Sequence, residues 1–473
     1  MATTYNLTDK GNAERMLMQA DGDIRYCHAL KTWYIWNGKY WEPDNTGRIW
    51  GIALATAEAI PKEIGAIPIS SDPETENIRS KHRDRILQHA HASEGKMRLQ
   101  SMIDLAQSMV PMSTDAMDTD KWLYNCQNGT IDIKTGVLGK HNRKHFITRC
   151  APVDYRENAS STLWHVFLDQ VLPDPKIQRF VQKAVGYSLT GNCGEEVMFF
   201  LYGSGANGKS TFMNAVLEVL GEYASQVSPN TLALQPGERP RNDLAKLMGK
   251  RFVSASEASG KDQFDEGLLK RMTGQDKVVA RFLYKEEFEL YPTWKIWLMS
   301  NHRPRIEGTD TAIWRRLRLI PFTERIPIGQ QDPALKEDLT HKPKHRSGVL
   351  KWALEGAKLW QEEGLKPPPG VLEATHNYRV EMDILGQFLE DCCGIRLDVR
   401  CRCTKMYDLY KGYCQKNGED YKSVLSHKAF TQQLVSRGDG NIETRKMHGI
   451  RYYVGIRIET EVELSDFIER NGG

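Results

Sequence analysis

Apolar and polar positions change period several times along the chain, and each change marks a predicted element. Trp33-Tyr34-Ile35-Trp36 and Tyr40-Trp41 flank Asn37-Gly38, a hairpin signature. Helical spacing follows over residues 49–64 and 77–109, interrupted by the Pro/Ser/Asp-rich stretch 68–73, and hairpin chemistry returns at 123–133. The aromatics of these hairpins are read as core packed on helices rather than as platforms for stacked bases. Leu163, Val166, Phe167 and Val171, then Phe180, Val181, Val185 and Leu189, recur at helical spacing and predict two helices over 160–190. Short apolar strands then alternate with helices as far as 321–327, the pattern of an α/β unit. Another helical stretch, 347–363, ends at the stiff turn Lys366-Pro367-Pro368-Pro369-Gly370. Helical patterns near 383–392, 404–416 and 427–437 precede strands at 441–446 and 451–458, joined at His448-Gly449. That order is the one expected of a winged helix-turn-helix. The expected organisation is an N-terminal mixed but mostly helical domain with an aromatic hairpin (1–155), a helical collar (156–195), an α/β core (196–345), a helical linker (346–380) and a winged-helix-like domain (381–473).

Composition narrows the class without naming a partner. The 473 residues carry 64 Lys+Arg against 61 Asp+Glu, a net charge of +3, with 40% hydrophobic and 26% charged residues. This is ordinary globular composition, and it excludes a disordered, collagen-like or membrane-embedded chain. No apolar run approaches the ~18–20 residues of a membrane helix, and Met1–Lys10 has no apolar core, so a cytoplasmic protein without a membrane partner is expected. With charge nearly balanced, any nucleic-acid affinity must come from local patches. Nine cysteines in such a chain are read as reduced thiols. Cys392, Cys393, Cys401, Cys403 and Cys414 cluster, but they lack the paired spacing of a zinc site.

The strongest chemical signal is Gly203-Ser204-Gly205-Ala206-Asn207-Gly208-Lys209-Ser210-Thr211, which matches G-x4-G-K-[ST]. The apolar run 197–202 precedes it, and Phe212, Val216, Val219 and Leu220 follow at helical spacing up to Gly221. Glycines let such a loop wrap closely, so that backbone N–H groups and a helix N-terminus face phosphate oxygens. Lys209 would reach the β- and γ-phosphates of ATP, and the Ser210 hydroxyl would ligate Mg²⁺. A second strand, 251–256, leads to Glu257, the one carboxylate at its end. Glu257 would then serve both Mg²⁺ and the attacking water, with Asp262 or Asp265 as possible assistants. Strands at 278–283 and 288–291 flank the charged tip Tyr284-Lys285-Glu286-Glu287, where an aromatic and a cation suit a grip on single-stranded nucleic acid. A third strand, 295–300, ends in Asn301, an amide able to orient water. Arg315 and Arg316 follow, either of them suited to clamp transition-state charge from a neighbouring subunit.

In order, GSGANGKST, FVSASE, KRMTGQDKVVARFLY and WKIWLMSNHRPRIEGTDTAIWRRLRLIPF resemble the helicase part of phage and plasmid primase–helicases. That family belongs to helicase superfamily 3, with the poxvirus primase–helicases and the parvovirus and papillomavirus initiators. The likeness is strong over 196–325 and extends over roughly 5–380. It implies an α/β P-loop core of the AAA+ type, with Walker A at 203–211, the Walker B acid at Glu257 and a sensor amide at Asn301. It also implies an arginine finger at Arg315 or Arg316 acting in trans within a homo-hexamer, and a DNA-contacting hairpin at Tyr284 and Lys285. Many relatives carry an N-terminal primase domain for which these units leave no room, so a separate primase or replication protein is an expected partner. Two functions are then open. One is an ATP-driven replicative helicase of a phage, prophage or plasmid, moving 3′ to 5′ on single-stranded DNA. The other is an origin-binding initiator or regulatory ATPase that uses the C-terminal domain, where Lys405, Lys411, Lys428, Arg437, Arg445, Lys446 and Arg451 supply basic character.

Overall fold

The computed structural model describes residues 5–234, 241–256, 263–281, 287–306, 311–417, 424–438 and 440–459. The chain opens with α1 (Asp9–Gln19), capped by the Thr8 hydroxyl, then an antiparallel sheet of β1 (Ile24–Cys27), β2 (Thr32–Trp36) and β3 (Trp41–Pro43). Trp33, Tyr34 and Trp41 of this sheet are buried, and Trp41 Nε1 donates to the Arg143 carbonyl at 2.8 Å, so these aromatics are core. Next come α2 (Arg48–Ala59), α3 (Pro73–Ser93) and α4 (Lys96–Met109). The single helical pattern over 77–109 is therefore two helices, parted at Glu94-Gly95, where Gly95 takes extended backbone and starts α4. A second small sheet, β4 (Leu123–Cys126), β5 (Gly129–Asp132) and β6 (Val137–Gly139), buries Tyr124 against Tyr223 of the central unit, ring centroids 4.7 Å apart.

Two amphipathic helices follow, α5 (Thr162–Val171) and α6 (Pro175–Leu189). Ser161 caps the first and Asp174 the second, with Pro175 at the position where a missing N–H costs nothing. The central unit comprises β7 (Met198–Tyr202), α7 (Lys209–Leu220), β8 (Ala224–Val227), α8 (Asn242–Ala245), β9 (Phe252–Ser256), α9 (Glu266–Thr273), β10 (Val278–Arg281), β11 (Glu287–Leu290), β12 (Lys295–Ser300), α10 (Thr311–Trp314) and β13 (Leu317–Pro321). Five of these strands form a parallel sheet in the order β13-β7-β12-β9-β8, which makes this an α/β core. β7, β12 and β9 are almost wholly buried, as expected of parallel strands covered on both faces. β10 and β11 form a separate antiparallel hairpin.

α11 (Leu335–His341), α12 (Pro343–Glu363) and α13 (Pro369–Met382) return over this core. α12 crosses α6 so closely that a Cβ on Gly186 would sit 2.0 Å from the Ala357 nitrogen, and one on Gly356 would sit 2.0 Å from the Gln182 carbonyl oxygen. At the amino end of the sheet, two buried cations read backbone carbonyls. Arg251 donates to Leu189 O at 2.6 Å and Leu123 O at 2.7 Å. Lys295 donates to Thr190 O and to Asn192 O, the latter at 3.2 Å. Both therefore hold the carboxyl end of α6, where the helix dipole favours positive charge. Burial pushes the Lys295 ammonium down to about 7.

The chain ends in a small α/β unit of α14 (Ile384–Cys392), β14 (Cys393–Arg402), α15 (Cys403–Lys416), α16 (His427–Arg437), β15 (Glu443–Met447) and β16 (Ile450–Ile458), with sheet order β14-β16-β15. The helices and the final hairpin lie where the periodicity predicts them. β14 was not anticipated: it follows α14 without a break, and its pairing with β16 shifts register between Ile395 and Arg400.

Helix crossing at the two glycines sets the first test. Gly186→Ala or Gly356→Ala should each lower unfolding free energy by about 1–3 kcal/mol through overpacking. Gly51→Ala, on the exposed face of α2 with nothing within 4 Å, should be neutral or stabilising. Urea titration of the three variants checks this.

Candidate nucleotide-binding site

In a parallel sheet, ligands meet the carboxyl ends of the strands. Here Tyr202, Ser300 and Pro321 pair at one level and Ser256 pairs with Met299, so the segments following β7, β12, β13 and β9 emerge at one edge. The loop Gly203–Gly208 leaves β7 there and enters α7. Each of its end glycines has a packing reason. A Cβ on Gly203 would lie 2.1 Å from Asn207 Nδ2 and 2.2 Å from the Phe322 carbonyl oxygen. One on Gly208, whose φ is +80°, would strike Val171 Cγ1 at 2.5 Å. Between them Gly205 (+99°) and Ala206 (+51°) also take positive φ, which folds the loop into a concave wrap. No side chain caps α7, so its first N–H groups are left for a ligand.

Lys209 is the centre of this arrangement. It is only 4% exposed, and its Nζ donates to Gly203 O at 2.7 Å, Asn207 Oδ1 at 2.9 Å and Asn301 Oδ1 at 3.0 Å. None of these acceptors carries a charge. Burial without a counter-ion pulls the ammonium down to about 8. Asn207 has a second role that its place in a glycine-rich motif does not reveal: its Nδ2 donates to Phe322 O at 2.8 Å, tying the loop to the chain leaving β13. Ile326 N reinforces that tie by donating to Ala206 O at 2.8 Å.

Two cavities share this loop. One of about 580 Å³ is lined by 205–211 with Met299, Ser300, Asn301 and His302. The other, about 310 Å³, adjoins it at Ala206, Gly208 and Thr211 and is walled by Leu163, Val166, Phe167, Ile326 and Leu335, with Gln170, Gln330 and Asp332 at its polar side. Ser210 is exposed and, among the described residues, its hydroxyl has only the Met299 sulfur nearby, at 3.7 Å, so it is available to a cation. Ser204 is exposed at the loop's outer face.

The structure thus brings Gly203, Ser204, Gly205, Ala206, Asn207, Gly208, Lys209, Ser210, Thr211 and Asn301 together. Glu257, Asp262, Tyr284 and Lys285 lie outside the described residues; Ser256, one residue before Glu257, ends β9 at the same edge. Asp265 is occupied as the cap of α9, accepting from Leu268 N at 2.8 Å. Arg315 and Arg316 stand at the opposite, amino end of the sheet, where Met198 N donates to Arg316 O at 2.8 Å. A strand of five residues puts them ~16 Å along the sheet from the loop of their own chain. They also differ from each other. The Arg316 side chain is 10% exposed and bonds Glu196 Oε2 at 2.7 Å and Ala312 O at 3.0 Å, whereas Arg315 is 66% exposed and only 3.8 Å from the same carboxylate. Glu196 gave no signal in the sequence, because an acid before an apolar strand reads as surface.

Among the described residues no group of three or more His, Cys, Asp or Glu side chains could hold a metal ion, and all nine cysteines are free. Cys393 is pushed up to about 12 by burial, which suits an inert thiol.

Residues 13–173 match the family described as "D5 N terminal like", and 201–316 match a family of unknown function, DUF5906. "Putative helicase 022R" of Frog virus 3 (isolate Goorha) is 30% identical over 320 residues, covering 63% of this chain and 32% of that protein. "Putative helicase L207/L206" of Acanthamoeba polyphaga mimivirus is 27% identical over 349 residues, 66% of this chain and 36% of that one. "Putative primase C962R" of African swine fever virus (isolate Tick/Malawi/Lil 20-1/1983) is 27% identical over 211 residues, 43% and 22%. Among solved structures, the C-terminal region of NrS-1 aligns over 96% of this chain and 100% of that chain at 11% identity, with a TM-score of 0.49. These matches support a D5-like primase–helicase family, and the chain spans about a third of the length of the first two curated relatives.

The contrast between the two arginines is testable by stability alone. Arg316→Ala should cost about 1–3 kcal/mol, since it leaves Glu196 without its partner in a partly buried site. Arg315→Ala should stay within about 0.5 kcal/mol of wild type. Thermal unfolding of the two variants decides.

Proposed function

We propose that this chain is an ATP-driven DNA helicase motor serving replication, assembled as a ring whose sites lie between neighbouring copies. The observation that carries the reading is Lys209: a buried ammonium surrounded by neutral oxygens, at the uncapped start of the helix that the loop joins to β7, the second strand of a parallel sheet. Such a site is built to receive a polyanion. The strand order supports an AAA+-type core, because the strand entering the loop lies between β13 and the strand ending in Asn301, with the strand leading to Glu257 next.

In this reading the triphosphate lies in the larger cavity, against 205–211, and the nucleobase enters the apolar one. Lys209 turns from Asn301 to the β- and γ-phosphates, which leaves the Asn301 amide free to orient water. Ser210 and Glu257 would hold Mg²⁺, which would neutralise charge on the phosphate oxygens. Arg315 reaches the site of the next subunit, since it is exposed and too far from its own. Tyr284 and Lys285, outside the described residues, supply an aromatic and a cation that grip single-stranded DNA.

A second reading has its own support. In the C-terminal unit, α15, α16 and the β15–β16 hairpin follow the order of a winged helix. His427, Lys428, Gln432 and Ser436 are exposed on α16, and Arg445, Lys446 and Arg451 on the hairpin, a surface suited to duplex DNA. An origin-binding initiator would use it, and one protein can carry both activities.

ATP hydrolysis with and without single-stranded DNA, read beside oligomer mass, separates these. The motor reading expects DNA-stimulated hydrolysis by a ring. It expects the rate to fall about a hundredfold or more in Lys209→Ala and in Arg315→Ala, with the ring intact in the latter. A monomer with slow, DNA-indifferent turnover would leave the initiator reading.

A further inference from the structure

The C-terminal unit sets two tyrosines side by side in β16, and the packing of the unit accounts for only one of them. Tyr453 is wholly buried: Phe430 of α16 lies against its ring, centroids 6.2 Å apart, and its hydroxyl bonds the Thr431 hydroxyl at 2.6 Å. Tyr452 lies on the other side of the β14-β16-β15 sheet, because successive residues of a strand alternate between faces. It is half-buried, and its hydroxyl has no partner among the described residues.

The pairing register shows what surrounds that ring. Tyr452 sits opposite Arg402 in one neighbouring strand and Arg445 in the other; two residues along, Val454 sits opposite Arg400 and Glu443. Opposite residues share a face, so three guanidinium groups, all of them exposed, stand around one aromatic ring. Arg400 lies over the ring, 5.4 Å from its centroid, and donates from Nη1 to the Met447 sulfur at 3.2 Å. The three strands carry seven Lys and Arg against two acids, Asp398 and Glu443. Glu443 pairs with Arg445; Asp398 is exposed in the irregular stretch 396–399, where Arg396 offsets it; and Glu459, just past β16, pairs with Arg457 at 2.8 Å. Arg400 and Arg402 make no ion pair among the described residues.

That combination selects a ligand. A nucleotide within a single strand has a π-face to stack on the ring and flanking phosphates for the two uncompensated guanidinium groups. A duplex keeps its bases stacked on each other and would leave Tyr452 unused. An acidic peptide would use the cations but needs apolar anchorage, for which this face offers little beyond Val454 and Ile450. We propose that this sheet face is a binding site for single-stranded nucleic acid, with one base stacked at Tyr452 and the neighbouring phosphates held by Arg400 and Arg402. The site is on the opposite side of the sheet from α16, which packs on Tyr453, and it requires no ATP. It therefore does not rest on the motor reading.

Binding of a short fluorescent oligothymidine, read by anisotropy without nucleotide, tests it. The receptor is the full chain carrying Tyr284→Ala and Lys285→Ala, so that the binding assigned to those residues does not contribute. The same oligothymidine bearing one iodouracil is photo-cross-linked to the receptor and mapped by mass spectrometry; the cross-link should fall on the peptide containing Tyr452. In this background Tyr452→Ala should weaken binding about tenfold, whereas Tyr452→Phe, which keeps the ring, should leave it unchanged. Arg400→Gln combined with Arg402→Gln should also weaken it about tenfold and flatten its salt dependence. No binding, a cross-link confined to other peptides, or Tyr452→Ala binding as tightly as its parent would overturn the proposal. So would a duplex or polyglutamate that competes as well as unlabelled oligothymidine, the first marking a duplex surface and the second a peptide site.

Discussion

A single uncompensated charge organises this molecule. The Lys209 ammonium is buried among neutral oxygens, and an isolated cation inside a protein is costly unless a hydrogen-bonding cage or a counter-ion relieves it. The cage is supplied by parts that meet only through the fold: the loop's own carbonyl at Gly203, the Asn207 amide braced on Phe322, and Asn301 at the end of β12. β7 and β12 must therefore be neighbours, and the loop must wrap tightly enough to exclude a side chain at Gly203. Stability given up at this point is recovered in the apolar layers beneath, where the sheet strands are buried on both faces.

Sheet polarity then divides the chemistry in two. The loop 203–208 and Asn301 sit at the carboxyl edge; Arg315, Arg316 and the buried cations Arg251 and Lys295 sit at the amino edge. The inner pair holds the end of α6 and so fixes the helical layer to the sheet. Arg316 is locked to Glu196, while Arg315 is left outside. A parallel sheet with both faces covered has no way to bring its amino edge to its own carboxyl edge, so the outer arginine looks away from the loop of its own chain. This geometry is what makes a site shared between copies a natural reading.

Much of this was legible in the chain. Glycine-rich loop, preceding apolar run and following helix are contiguous in sequence, so the motif at 203–211 and its elements could be read locally, as could the helices of the last unit. What escaped detection depends on distance. β1 and β14 take their strand character from partners, Ile24 opposite Ile35 and Cys401 opposite Tyr453, and neither run is distinctive alone. The break at Gly95 was hidden because helical spacing continues through it. Arg315 and Arg316 are indistinguishable as neighbours in sequence; they separate only when Glu196, 120 residues away, selects one of them. Asn207 looked like a spacer until its amide was seen to join Lys209 to Phe322.

The central claim is that the Lys209 cage is made for a polyanion. Calorimetric titration of ATP at pH 8.5, in two buffers of different ionisation enthalpy, tests it most directly. Burial holds Lys209 near 8, so at this pH much of it is neutral, and an arriving triphosphate should restore its proton. The account predicts net proton uptake from the buffer on binding, absent in Lys209→Arg, whose guanidinium stays charged throughout. Binding without proton uptake in the wild type, or with the same uptake in Lys209→Arg, would contradict it.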